Sequence, residues 1–176
     1  MRKKLRYFAL ITLVYLGAAK PVIAQDLKAC EIVTVQDINK VVGTNLQYDP
    51  NSIINKNGKF ECRFTDPKLP GTYIAIGLLS SKIEYGFDLL KSDFESNTKA
   101  ISNGGKAGGK FTKYSNFQPG GNYAFYMTGE KTDYGAEAFV LKFRKGNYII
   151  TISAENIPVK TLAEKAPELY KLFSKM

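Results

Sequence analysis

AEAFVLKFRKGNYIITISA, residues 136–154, alternates large apolar side chains on either side of a Lys-Gly-Asn centre. That period of two is the pattern of a β-hairpin at the middle of a sheet. On the way in, Phe139, Leu141 and Phe143 share one face; on the way out, Tyr148, Ile150 and Ile152 do. Loop length decides whether the two rows meet. A two-residue loop at Lys145-Gly146 sets Phe143 opposite Tyr148, Leu141 opposite Ile150 and Phe139 opposite Ile152. A loop at Gly146-Asn147 keeps the same parity, whereas three loop residues place Phe143 opposite Ile149 and spoil the face. The even loop is therefore expected. At roughly 1.5–3 kcal/mol per large apolar side chain, the shared face supplies on the order of 9–18 kcal/mol of gross burial before conformational entropy is counted.

Weaker copies of the pattern lie outward from this hairpin. Tyr123, Phe125 and Met127 alternate within residues 121–129, and residues 72–80, TYIAIGLLS, are apolar on both faces, as expected of a central strand. Asn57-Gly58 predicts the turn of a further hairpin over residues 52–65, setting Ile53 opposite Cys62, with Phe60, Cys62 and Phe64 facing inward. Two stretches change to helical spacing. Phe87, Leu90 and Phe94 make an apolar stripe over residues 84–99, with Lys91, Glu95 and Lys99 as an exposed ladder four apart. In residues 31–43, Thr34 and Asp37 form a capping box, Val35, Ile38, Val41 and Val42 supply the apolar side, and Gly43 ends the helix. Near the C-terminus Leu162, Ala166, Leu169 and Phe173 form a stripe that Pro167 interrupts, which predicts a kink or two abutting helices. The expected fold class is α+β: a mainly antiparallel sheet of about five to seven strands with helices packed on it.

The first 24 residues read as a cleaved signal peptide, leaving residues 25–176 as a single α+β domain. Arg2, Lys3, Lys4 and Arg6 precede a thirteen-residue apolar run from Tyr7 to Ala19, and Val22-Ile23-Ala24 supplies a small residue before Gln25. A spanning helix needs about 20 apolar residues, so no transmembrane segment is expected in the mature chain. Five of the 25 basic residues and none of the 16 acidic ones lie before Gln25, so the formal charge of +9 falls to +4 beyond it. The remaining basic residues are scattered among acids, which excludes the clustered patch of a nucleic-acid binder. The expected location is secreted or periplasmic.

In such an oxidising compartment the only two cysteines, Cys30 and Cys62, are expected to form a disulfide. It would close a loop of 33 residues, worth roughly 3–4 kcal/mol in the chain-entropy model. The alternative is a lipid anchor on Cys30, read from Leu27-Lys28-Ala29-Cys30; Lys20, Asp26 and Lys28 separate that cysteine from the apolar run and argue against it.

The chain has no histidine, which removes Ser/His/Asp and Cys/His catalysis and nearly all catalytic zinc or haem sites. No cofactor, metal or catalytic residue is expected. Carboxylates remain: Glu130, Asp133 and Glu137 crowd one turn, giving the alternative of a secreted hydrolase, though without the ligand spacing of a calcium loop. GGKAGGKF, residues 104–111, resembles a phosphate-binding loop but places Phe111 where magnesium needs Ser or Thr, and it follows a helix instead of a strand. Phe111, Tyr114 and Phe117 in this Gly-rich loop (102–122) are the candidate partner-binding residues; KFTKYSNF also reads as an edge strand, in which case they pack down.

CEIVTVQDINKVVG, then FECRF, then a late strand pair and LAEKAPELYKLF resemble small secreted or lipid-anchored bacterial domains with a PsbP/Mog1-like α/β/α sandwich. Cys30 opening a short helix, Gly43 ending it and Cys62 in the next hairpin match that layout. The resemblance implies a non-catalytic binding or accessory role in the bacterial envelope, toward an unknown protein or small ligand, and transfers no catalytic residue. The long Gly-rich loop departs from it.

Overall fold

The computed structural model describes residues 29–56, 59–80, 86–130 and 136–176. The signal-like N-terminus, the Leu27-Lys28 part of the lipid-box reading, the Asn57-Gly58 turn and Asp133 lie outside these residues. In chain order the elements are α1 (Ala29–Ile32), α2 (Val35–Val42), β1 (Gln47–Lys56), β2 (Lys59–Thr65), β3 (Tyr73–Ser80), α3 (Gly86–Ser102), β4 (Lys113–Asn116), β5 (Phe125–Gly129), β6 (Ala138–Lys145), β7 (Tyr148–Glu155) and α4 (Val159–Lys171), with a 3-10 turn at Gln118–Gly120. The seven strands form one sheet in the order β1-β2-β3-β7-β6-β5-β4, and every pairing is antiparallel. The α+β class expected from the sequence is the class observed.

The central hairpin keeps its expected parity with a different register. Lys145 pairs with Tyr148, Phe143 with Ile150, Leu141 with Ile152 and Phe139 with Ala154, so the loop is Gly146-Asn147. Glycine explains the choice. Gly146 takes φ 55°, and Asn147 does not adopt a positive φ, the pattern of a type II′ turn with glycine first. A Lys145-Gly146 loop would require the left-handed region of Lys145 in either favoured hairpin turn. Phe139, Leu141, Phe143, Ile150 and Ile152 are all buried, and Tyr148 packs against the same cluster.

Strand alternation divides the interior in two. Phe60, Cys62, Phe64, Ile74, Ile76 and Leu78 continue the first face, which α1, α2 and α4 cover with Ile38, Val42, Leu162, Ala166, Leu169 and Phe173. The opposite face carries Phe125, Met127, Ala138, Val140 and Ile149, which pack with Leu90, Phe94 and Ile101 of α3 and with Ala107 and Phe111 of the Gly-rich loop. On α3 the expected ladder Lys91, Glu95 and Lys99 is exposed. β1 and β2 pair Lys56 with Lys59, Asn55 with Phe60 and Ile54 with Glu61, the register of a two-residue turn; a bulge then shifts the pairing to Asp49 with Arg63.

α2 is bounded as its residues dictate. The Thr34 hydroxyl accepts the Asp37 amide at 3.2 Å and the Thr34 amide donates to the Asp37 carboxylate at 3.1 Å, while Gly43 closes the helix at φ 76°. The hydrogen bonds from Thr34 hold the Asp37 carboxyl below its ordinary pKa. Its stabilising effect is thus present above the ordinary carboxylate range and fades as pH falls through the lowered value. Thr34→Ala is expected to cost about 1 kcal/mol of stability near neutral pH and to flatten this acid limb, read by denaturant titration at a series of pH values.

Of the two alternatives expected at Pro167, α4 corrects that of two abutting helices. It runs as a single helix through Pro167. An interior proline costs roughly 3 kcal/mol of helix propensity, but burial of Leu162, Ala166, Leu169 and Phe173 holds the helix on the sheet, and Pro167 itself is exposed. At the other end, the Val159 amide donates to Glu137 Oε2 at 2.9 Å, so Glu137 caps this helix.

Candidate functional site: a cleft beside α3

α3 crosses its face of the sheet over β4 and β7, with Leu90 in one cluster with Ile149, Phe125 and Met127. Beside it, on β3, the alternation that sends Ile74, Ile76 and Leu78 inward leaves Tyr73, Ala75, Gly77 and Leu79 on this second face. One cross-strand row runs Glu61, Gly77, Thr151, Lys142. Gly77 has no side chain, so the floor is low at its centre. A cleft of about 390 Å³ results, lined by Leu79, Ile149, Thr151 and Ser153 from the sheet and by Leu89, Leu90 and Asp93 from α3, with Glu61 at one end and Lys142 at the other. Lys142 Nζ is ion-paired to the Asp93 carboxylate, tying the helix to β6. Leu89 remains 47% exposed at the rim. The lining is apolar for most of its area with hydrogen-bonding groups at the edge, the composition of a site for a small ligand.

A charged row flanks the cleft on the same face. Arg63 lies over the Tyr73 ring, 4.3 Å from its centroid, and its Nη2 is 3.9 Å from Glu61 Oε1. The buried Arg63 Nε has no hydrogen-bond partner among the described residues. Tyr73 lies within reach of Glu155, which is ion-paired to Lys110 of the Gly-rich loop. Burial by itself raises the Glu155 pKa; the hydrogen bond and charge of Lys110, with the Tyr73 hydroxyl, outweigh it and hold the carboxyl below its ordinary value. Burial and that carboxylate push the Tyr73 phenol up.

The aromatics expected on a mobile loop lie elsewhere. Phe111 and Phe117 are buried, Phe111 in the α3 cluster and Phe117 against Phe143 and Tyr170; Tyr114 alone stays exposed, on edge strand β4. The edge-strand reading of KFTKYSNF holds over Lys113–Asn116, because burying two phenylalanines outweighs the freedom of the glycines around them. The Gly-rich loop folds on itself: Ala107 bridges Phe111, and Gly129 lets the Lys110 carbonyl approach so closely that a Cβ there would lie 2.3 Å from it. No helix opens after Lys110, and its ammonium is held by Glu155.

Of the crowded carboxylates, the two among the described residues have separate partners. Glu130 is an exposed partner of Lys113 and Glu137 caps α4. Among the described residues no group of three His, Cys, Asp or Glu side chains is placed to hold a metal, and no helix is long and apolar enough to cross a membrane.

The expected disulfide is likewise not formed: Cys30 and Cys62 are thiols. Cys30 lies near enough to act on both the Cys62 thiol and the Tyr48 phenol, and raises the pKa of each. Burial, then the Cys30 contact, pushes the Cys62 thiol far above its ordinary pKa, which makes it inert as a nucleophile.

Reasoning from the sequence missed the cleft residues Glu61, Gly77, Asp93, Lys142 and Thr151. The available signal was Gly77, a glycine inside an apolar strand, which marks a close approach or a deliberate gap. The chain matches no protein-family model, no curated protein and no solved structure.

Proposed function

We propose that this chain is an exported, non-catalytic binding protein of the bacterial envelope that holds a small amphipathic molecule in the cleft beside α3. The observation that carries the reading is the cleft's construction. Leu79, Leu89, Leu90 and Ile149 offer apolar wall, Thr151, Ser153 and Glu61 offer polar groups, and Gly77 keeps the floor open. The cleft lies on the side of the sheet where the Gly-rich loop packs, with Lys110 reaching the flanking charged row. Export rests on the basic and apolar N-terminal residues, and with it goes oxidation of the neighbouring Cys30 and Cys62 thiols to a disulfide.

Octan-1-ol, a neutral probe, tests the cleft directly. Titrated into the protein, it is expected to shift the amide resonances of Gly77, Leu79, Ile149 and Thr151. A Cβ at position 77 meets the Thr151 Cβ at 3.7 Å, an ordinary contact, and valine favours strands. Gly77→Val is therefore expected to stay folded, fill the floor and weaken octanol binding at least tenfold. Equal binding by the variant, or shifts confined to other parts of the sheet, would refute the site.

A further inference from the structure

We infer that a second pocket, where α3 meets the loop between β4 and β5, binds a neutral saccharide through the carboxamides of Asn116, Gln118 and Asn122. This pocket measures about 370 Å³ and shares no lining residue with the cleft described above. Phe94 of α3 and Tyr123 form its apolar wall, both half-buried, with ring centroids 5.8 Å apart in an edge-to-face arrangement. Asn116, Gln118 and Asn122 line it alongside these rings and are exposed, so their donors and acceptors are open to a ligand. Among the described residues that line it, none is charged. An ion entering would give up water without gaining a charged partner. A pyranose ring fits this chemistry better. Its C–H face packs on aromatic rings, and each hydroxyl of its rim both donates and accepts, as a carboxamide does.

The loop that carries these groups is anchored at both ends. Phe117 is buried against Phe143 and Tyr170, and Ala124 is buried seven residues on. The Phe117 amide donates to the Ala124 carbonyl at 2.8 Å, and the Ala124 amide donates to the Gly121 carbonyl at 3.2 Å. With Phe117 turned inward, its neighbours Asn116 and Gln118 are left outside. Tyr123 is held at φ 60°, a left-handed conformation that a bulky side chain adopts only where its surroundings impose it. Backbone outliers of this kind gather at binding sites, and this one sets an aromatic ring into the pocket wall. Side chains presented from a loop already fixed lose little further freedom when a ligand arrives.

The experiment titrates maltose, cellobiose and N,N′-diacetylchitobiose separately into the protein. At least one is expected to shift the backbone amides of Gly121, Asn122 and Tyr123 and the side-chain amides of Asn116, Gln118 and Asn122, with a Kd on the order of 1 mM. Glucuronate, a sugar that carries a charge, is expected to leave them in place. Gln118→Ala combined with Asn122→Ala, both at exposed positions, is expected to keep the amide spectrum of the sheet and weaken the disaccharide roughly fivefold or more. Asn116→Leu, which keeps side-chain volume and removes the donor and acceptor, is expected to weaken it through a different residue. No shift from any of the three disaccharides, unchanged affinity in both variants, or glucuronate binding as tightly as the best disaccharide would overturn the inference. None of these results touches the octanol test of the cleft, whose reporters Gly77 and Thr151 lie outside this pocket.

Discussion

Phe143→Ala lowers the stability of the folded chain by about 3–5 kcal/mol, the largest single loss expected from any one residue here. Phe143 is fully buried on β6 at the meeting point of three elements. Its ring centroid is 4.9 Å from Tyr170 and 5.7 Å from Phe173 at the α4 end of the chain, both edge-on, and 6.5 Å from Phe117 beside the 3-10 turn. The Gly120 backbone lies so close that a Cβ built there would be 2.7 Å from the Phe143 Cβ, so the ring is walled on that side by main chain that cannot easily collapse into a vacancy. The lost transfer energy is then joined by an unfilled cavity. Against a total stability of roughly 5–15 kcal/mol for a domain of this kind, the variant is marginal or unfolded at ambient temperature. Urea titration with matched fluorescence and circular dichroism transitions reads the loss. Lys160→Ala, at an exposed position on α4, is the control and is expected to change stability by about 0.5 kcal/mol or less. A loss below about 1 kcal/mol at Phe143 would mean that the two apolar rows do not form the interior.

Under the proposed export, in which Cys30 and Cys62 are oxidised to a disulfide, reduction of that bond is expected to cost about 3–4 kcal/mol, the loop-closure value for a 33-residue loop. Cys30 on α1 and Cys62 on β2 are close enough for Cys30 to act on the Cys62 thiol, so the fold brings the two ends of the proposed bond near one another. Protein recovered from an oxidising compartment and unfolded in denaturant should titrate no free thiol, and Cys30→Ser should abolish the sensitivity of the denaturant midpoint to reductant. In the reduced, folded protein, iodoacetamide should alkylate half-buried Cys30 well before Cys62, which is wholly buried and held protonated. Two free thiols in that material would contradict the proposed pairing.

Some of the cleft was within reach of pattern reading and most was not. Period-two alternation places Gly77, Leu79, Ile149 and Thr151 on the face opposite the main core, and that much follows from strand geometry alone. Asp93 reaches the cleft only because α3 crosses this face, and its pairing with Lys142 joins residues 49 apart in the chain. No local rule connects them. Glu137 illustrates the same point. In the chain it is one of three crowded acids; in the fold it caps a helix that begins at Val159.

What the linear chain determined by itself is whatever neighbours within a few residues decide. The alternation of β6 and β7, the glycine that admits a tight turn, the Thr34–Asp37 box and the left-handed stop at Gly43 are all of this kind, because backbone preference and side-chain direction are short-range properties. Tertiary structure alone decided which apolar residues were consumed by the interior. Phe111 and Phe117 went inward and Leu89 was left at a rim, although all three are apolar, because burial depends on which surfaces α3 and α4 bring to them. The same packing left the floor around Gly77 uncovered. A gap between elements far apart in sequence has no signature in any one of them, so the cleft came into view only when the helix and the strands were placed together.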